Sequence, residues 1–204
     1  MRILYGVMNG MDGIWCERVF APWGDMEAEM RKHSLPLWAL ESQNNVRDFD
    51  MIAFTIGYEM AYSNILNMLR LAGVPLRSSE RKGLRNMVFA GGVCTFNPEP
   101  FADFVDFFSL GAGEEVTVEI VRLYDRAQGV YWRKQQFLRE VARIPGVYVP
   151  SFYRHDYNPD GTLKAVVPLV EGVPTVHRKR IVEDLDKAYF PTKMIVPSTE
   201  IVHD

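Results

Sequence analysis

Three short stretches of this chain carry residue types suited to holding a ligand: Thr55-Ile56-Gly57-Tyr58, Gly91-Gly92-Val93-Cys94 and Gly111-Ala112-Gly113-Glu114. Each follows an apolar run that reads as a strand. A glycine there lets the backbone approach a bulky flat ligand with no Cβ in the way, and it accepts the positive φ of a sharp strand-to-helix turn. Plain turn geometry explains any one of these glycines equally well. Three such loops together favour a crevice, because open parallel sheets bind ligands beyond the carboxyl ends of their strands. On this reading Gly92→Leu blocks the ligand and leaves the sheet folded.

Other chemistry is weakly supported. Gly111-Ala112-Gly113-Glu114 resembles the start of a dinucleotide fingerprint, yet the third glycine is absent and Glu114 and Glu115 stand where a pyrophosphate would rest. Those carboxylates suit a helix start. The acids Glu99, Asp103 and Asp106, and likewise Glu183, Asp184 and Asp186, have no histidine or nucleophile beside them and read as solvated faces and caps. His33, His155, His177 and His203 lack metal-ligand spacing, and Met60, Met68 and Met87 read as flexible core filler. No catalytic residue and no metal ligand is assigned.

The loops need a scaffold. Phe49 to Ile56 is almost continuously apolar, the pattern of a central strand buried on both faces. A helix over Tyr62 to Leu71 follows, stopped by Gly73-Val74-Pro75. The unit recurs with a strand at Asn86 to Ala90 and a helix start at Asn97-Pro98-Glu99, then a strand at Val105 to Leu110 and a helix from Glu114 to about Asp125. Tyr131 to Val141 predicts another helix. Upstream, Trp15 to Pro22 reads as a strand, Asp25 caps a helix through Lys32, and Leu37 to Leu40 is a short strand candidate. Val147 to Tyr157 and Leu163 to Val167 flank Asn158-Pro159-Asp160-Gly161, a hairpin signature. From Pro168 onward the chain reads as an extended arm.

These elements predict an α/β fold, a flavodoxin-like (Rossmann-like) doubly wound parallel sheet with a C-terminal β-hairpin and arm. Residues 1–145 form the α/β domain, and residues 146–204 form the hairpin and linker. Met1 to Met8 is either a strand or the tail of a helix. Only Asn9 to Gly13 separates it from Trp15, too few residues for a parallel crossover, which favours the helix and leaves the first strand of the sheet missing from this sequence. Such a gap exposes backbone donors and acceptors, so self-association through the sheet edge is expected.

With 204 residues, 48% hydrophobic and 24% charged, the chain is an ordinary globular one. A net charge of -3 gives no field for nucleic acid or anionic lipid, and only Arg77 to Arg85 and His177 to Arg180 are locally basic. Cys16 and Cys94 stand far apart, outside any CxxC pair, which suits a reducing, cytoplasmic setting. No apolar run is long enough to span a bilayer.

Taken together, ERVFAPW (Glu17 to Trp23), DMEAEMR (Asp25 to Arg31), PLWALES (Pro36 to Ser42), RDFDMIAFTIGYE (Arg47 to Glu59), YSNILNMLRLAGVPLR (Tyr62 to Arg77), FAGGVCTFNPEPFADFVD (Phe89 to Asp106) and SLGAGEEV (Ser109 to Val116) closely resemble one family, the uncharacterised cobalamin-binding-domain radical SAM proteins. The likeness continues through GVYVPSFY (Gly146 to Tyr153), KRIVEDLD (Lys179 to Asp186) and PTKMIVPSTEIVHD (Pro191 to Asp204). It implies a domain that holds cobalamin beside a downstream radical SAM barrel, whose CxxxCxxC thiolates hold a 4Fe-4S cluster and cleave S-adenosylmethionine. That barrel, its cluster and its S-adenosylmethionine are expected beyond Asp204. The implied cofactor-binding residues are Thr55, Ile56, Gly57, Tyr58, Gly91, Gly92, Val93, Cys94, Gly111, Gly113 and Glu114. The best-known cobalamin domains carry a DxHxxG loop whose His binds cobalt, and no such motif stands here, so the resemblance implies cobalamin without a protein His ligand. The alternative is a vestigial domain that only packs against the barrel, with Phe96, Tyr58 and Tyr62 filling the crevice.

Overall fold

The apolar runs pair as a small, mostly parallel sheet in the computed structural model of the chain, which describes residues 2–191. Strands β1 (Met51–Thr55), β2 (Met87–Gly91), β3 (Phe107–Ser109) and β4 (Val147–Tyr148) lie side by side in chain order. The first three are parallel, and β4 runs antiparallel to β3 with Phe108 opposite Tyr148. A helix, α1 (Arg2–Asn9), precedes the sheet, and α2 (Gly24–Lys32) follows it in sequence before β1. Helix α3 (Ala61–Leu71) links β1 to β2, while α4 (Glu114–Gly129) and α5 (Lys134–Val141) link β3 to β4. A separate antiparallel hairpin, β5 (Tyr153–Tyr157) and β6 (Leu163–Pro168), turns through Asn158 to Gly161, where Gly161 has φ of +84°. This is a mixed α/β fold of flavodoxin-like character with a C-terminal hairpin.

Apolar side chains at sheet and helix periods meet in one core. Phe89 and Phe107, neighbours across β2 and β3, stack with ring centroids 5.0 Å apart, and Phe137 of α5 meets Phe107 edge-on at 6.1 Å. Each such fully buried ring contributes about 1.5–3 kcal/mol. Ile65, Met68 and Leu69 form the buried stripe of α3, and Gly73, at φ of +69°, closes that helix. Met68 and Met87 fill core space as their setting predicts, whereas Met60 is 77% exposed and fills none.

Several elements differ from the sequence expectation. The strand at Phe49 to Ile56 is an edge strand, paired on one side only among the described residues, and its burial alternates instead of being complete. Trp15 to Pro22 forms no strand, and Leu37 to Leu40 makes only an isolated antiparallel bridge from Trp38 to Asn45. Both have strand-like composition, but a strand exists only where a neighbour supplies its hydrogen bonds. After Asn97 the chain makes a single 3-10 turn, Glu99–Phe101, in place of a helix. The helix read from Tyr131 begins at Lys134, since Tyr131 itself adopts φ of +55°. Met1 to Met8 is helical over its described residues.

Asp106 overturns the reading of its cluster as solvated. It is 2% exposed, at the entry to β3, with Lys134 Nζ 2.5 Å from Oδ1 and Arg81 Nη2 3.1 Å from Oδ2. The Val88 amide donates to Oδ2 at 2.7 Å, so this carboxylate ties β2, β3, α5 and the loop before β2 together. Asp103, Glu183, Asp184 and Asp186 are exposed. Among the described residues no helix is long and apolar enough to cross a membrane.

Candidate functional site

The loops after β1 and β2 are stitched to each other through Ile56. Its amide donates to Gly91 O at 2.8 Å, and its carbonyl accepts from the Cys94 amide at 3.1 Å. Gly92, at φ of +107°, makes that approach feasible, because a Cβ there would lie 2.6 Å from Ile56 O. The expectation that Gly92→Leu spares the sheet is therefore corrected: the side chain would strike the Ile56 backbone just beyond β1, not a guest. Ile56 is itself buried, so its contribution is backbone only.

What these two loops present outward is open and apolar. Nothing lies within 4 Å of a Cβ built on Gly57, and Tyr58, Val93 and Phe96 are 60%, 65% and 57% exposed. Tyr58 and Phe96 therefore do not plug the crevice. Tyr62 turns away and stacks on Phe101 at 4.8 Å. Burial, with the neighbouring Glu59 carboxylate, pushes the Cys94 thiol pKa up.

The third strand end joins through Thr95, whose buried hydroxyl lies 2.7 Å from Gly92 O and 3.2 Å from Ser109 O. Two buried polar atoms stand here without a hydrogen-bond partner, Ser109 Oγ and Glu114 Oε2. Such orphans are rare in native interiors. Ser109 and Thr95 were missed in the sequence. A polar residue closing the apolar run VDFFSL was the available signal for Ser109.

Gly111 and Gly113 face the chain's own segments. A Cβ on Gly111, at φ of +95°, would fall on the backbone of Arg180, and one on Gly113 would lie 3.2 Å from Leu4 Cδ2 of α1. The arm after β6 reaches this corner with two backbone hydrogen bonds, Arg180 N to Leu110 O at 2.7 Å and Ala112 N to Arg180 O at 2.9 Å. The Arg180 guanidinium adds ion pairs to Glu115 at 3.1 Å and Glu119 at 2.6 Å. The sequence places Arg180 only in a basic run; its docking was missed.

Beside the crevice, Tyr148 donates to Glu99 Oε1 at 2.5 Å, His155 Nε2 stands 3.5 Å from Glu99 Oε2, and Tyr153 donates to Pro174 O at 2.7 Å. His177 Nε2 lies 3.0 Å from the Tyr153 hydroxyl. Burial raises Tyr153 to about 12 and lowers His177. Every group in this cluster has a partner, which fits a fastening of hairpin and arm to the sheet.

The fold and site thus define an α/β domain whose strand-end loops present exposed Tyr58, Val93 and Phe96. A family model described as radical SAM proteins, N-terminal, matches residues 1–150, and the chain belongs to that family. It is also similar to an uncharacterized protein of Methanocaldococcus jannaschii, 29% identical over 134 residues, covering 64% of this chain and 28% of the relative. The chain thus spans under a third of that relative's length. No solved structure matches it.

Proposed function

We propose that this domain is the cobalamin-binding module of a radical SAM protein, positioning the corrinoid for S-adenosylmethionine-dependent radical chemistry performed by a 4Fe-4S module of the same polypeptide. Membership of the radical SAM N-terminal family supports the setting. The observation that carries the ligand reading is the open strand-end platform: Gly57 with free space above it and exposed Tyr58, Val93 and Phe96 on the two loops. Exposed apolar patches with a few convergent polar groups are what flat ligands bind.

Cobalamin, when bound, supplies a cobalt centre that carries and releases an alkyl group. The chain's own residues would seat its apolar face on Tyr58, Val93 and Phe96 and exclude water there. None of Thr55 to Tyr58, Gly91 to Cys94 or Gly111 to Glu114 is a histidine, so cobalt receives no imidazole from these loops.

Mixing the purified chain with hydroxocobalamin, desalting and recording the visible spectrum tests this reading. Retained colour that falls at least tenfold in Tyr58→Ala/Phe96→Ala supports it; a colourless wild-type product removes it. A second reading, a domain kept for packing alone, draws on Gly111 and Gly113, whose space the arm and α1 already take.

A further inference from the structure

The seat of Arg180 is built, not incidental. Gly111 and Gly146, at φ of +95° and +88°, flank its backbone, and a Cβ on Gly146 would lie 3.2 Å from Arg180 Cβ. Either side chain would push the arm off, so both positive-φ glycines serve a chain segment that sits at the mouth of the strand ends. Val176, Ile181 and Leu185 are 73%, 61% and 77% exposed, and Arg178 and Lys179 are exposed as well. Between His177, which meets Tyr148 and Tyr153 edge-on, and Tyr189, whose ring lies against Gly6 of α1, the arm is clasped at Arg180 by two backbone hydrogen bonds and two partly exposed ion pairs. Contacts of that kind are individually weak and reversible.

We propose that residues 178–181 form a strap that opens: closed, Arg180 occupies the corner above Gly111, and a guest spanning all three strand ends must displace it. This rests on the cobalamin reading and adds regulation to it. Strap release and cofactor entry are then coupled, and whatever holds or pulls the arm sets the affinity of the crevice.

The run Arg178-Lys179-Arg180 is itself a reporter, because trypsin needs an extended, detached segment and a clasped one resists it. Limited trypsin digestion of the 204-residue chain, followed by mass spectrometry, measures cleavage at these three residues with and without hydroxocobalamin. Glu115→Gln/Glu119→Gln removes the ion pairs from the exposed face of α4, and Asp125→Asn on the same helix is the control. The double variant is expected to be cleaved up to about tenfold faster and to bind hydroxocobalamin tighter by a similar factor, the upper end for two partly exposed pairs. Hydroxocobalamin should speed cleavage of the wild type. Equal affinity in both proteins with cleavage unmoved by ligand overturns the strap and leaves the cofactor reading standing. Failure of either protein to bind hydroxocobalamin overturns the cofactor reading, and the gating role with it. Cleavage of the double variant no faster than the control overturns the clasp itself.

Discussion

Asp106 shows how much one side chain can fix. Two cations and one carboxylate share a site from which water is excluded, and the carboxylate also accepts from Ser78 Oγ and the Val88 amide. Burial lowers the Lys134 pKa, opposed by Asp106 beside it. Removing the carboxylate's charge leaves Arg81 and Lys134 buried against each other. Asp106→Asn is therefore expected to lose about 3–5 kcal/mol of stability, read by equilibrium denaturation; a loss below about 1 kcal/mol would show the site to be well hydrated. Little of this was legible beforehand. The acids read as one solvated group, because the partners of Asp106 lie far off in sequence and burial of a charge is written only in three dimensions. The glycines were legible as special positions, but what crowds Gly92 and Gly111 proved to be Ile56 and Arg180.

At the level of elements, the arm joins the sheet in part through the imidazole of His177. Burial holds the His177 pKa below its ordinary 6.5, against a hydrogen bond that its ring donates to the Val147 backbone, which raises it. A released arm would regain the ordinary value and bind more protons than the docked one between the two values. Docking is thus fully favoured above about pH 6.5 and weakens as the pH falls towards the docked value. Protection factors of the amides over residues 174–181, corrected for the intrinsic exchange rate, should fall between pH 7 and pH 5.5, and His177→Phe should flatten that response; an unchanged profile in the variant would remove His177 as its source. Strand and helix types were readable where periodicity was strong, as in α3, α4 and the β5–β6 turn. Trp15 to Pro22 misled because composition favours a strand while pairing decides one. The position of β1 misled likewise, since an apolar run says nothing of which neighbours are present.

Across the whole molecule, no described residue pairs with the outer side of β1. Met87 N bonds Asp50 O and Ile56 N bonds Gly91 O, so the even-numbered residues of β1 face β2, and Met51, Ala53 and Thr55 direct their amides and carbonyls outward. Ala53 and Thr55 are solvent-exposed, and no charge, proline or bulge guards this edge. Self-association through it should appear in sedimentation velocity as a species growing with concentration, and Ala53→Lys should abolish it; a monomer at every concentration would show the edge to be shielded in solution. An added strand would also act as a ligand of the folded state alone. Apparent melting temperature would then climb with protein concentration, and a short β-forming peptide supplied in excess would raise it in the same way. Thermal resistance in this chain would depend in part on the company it keeps.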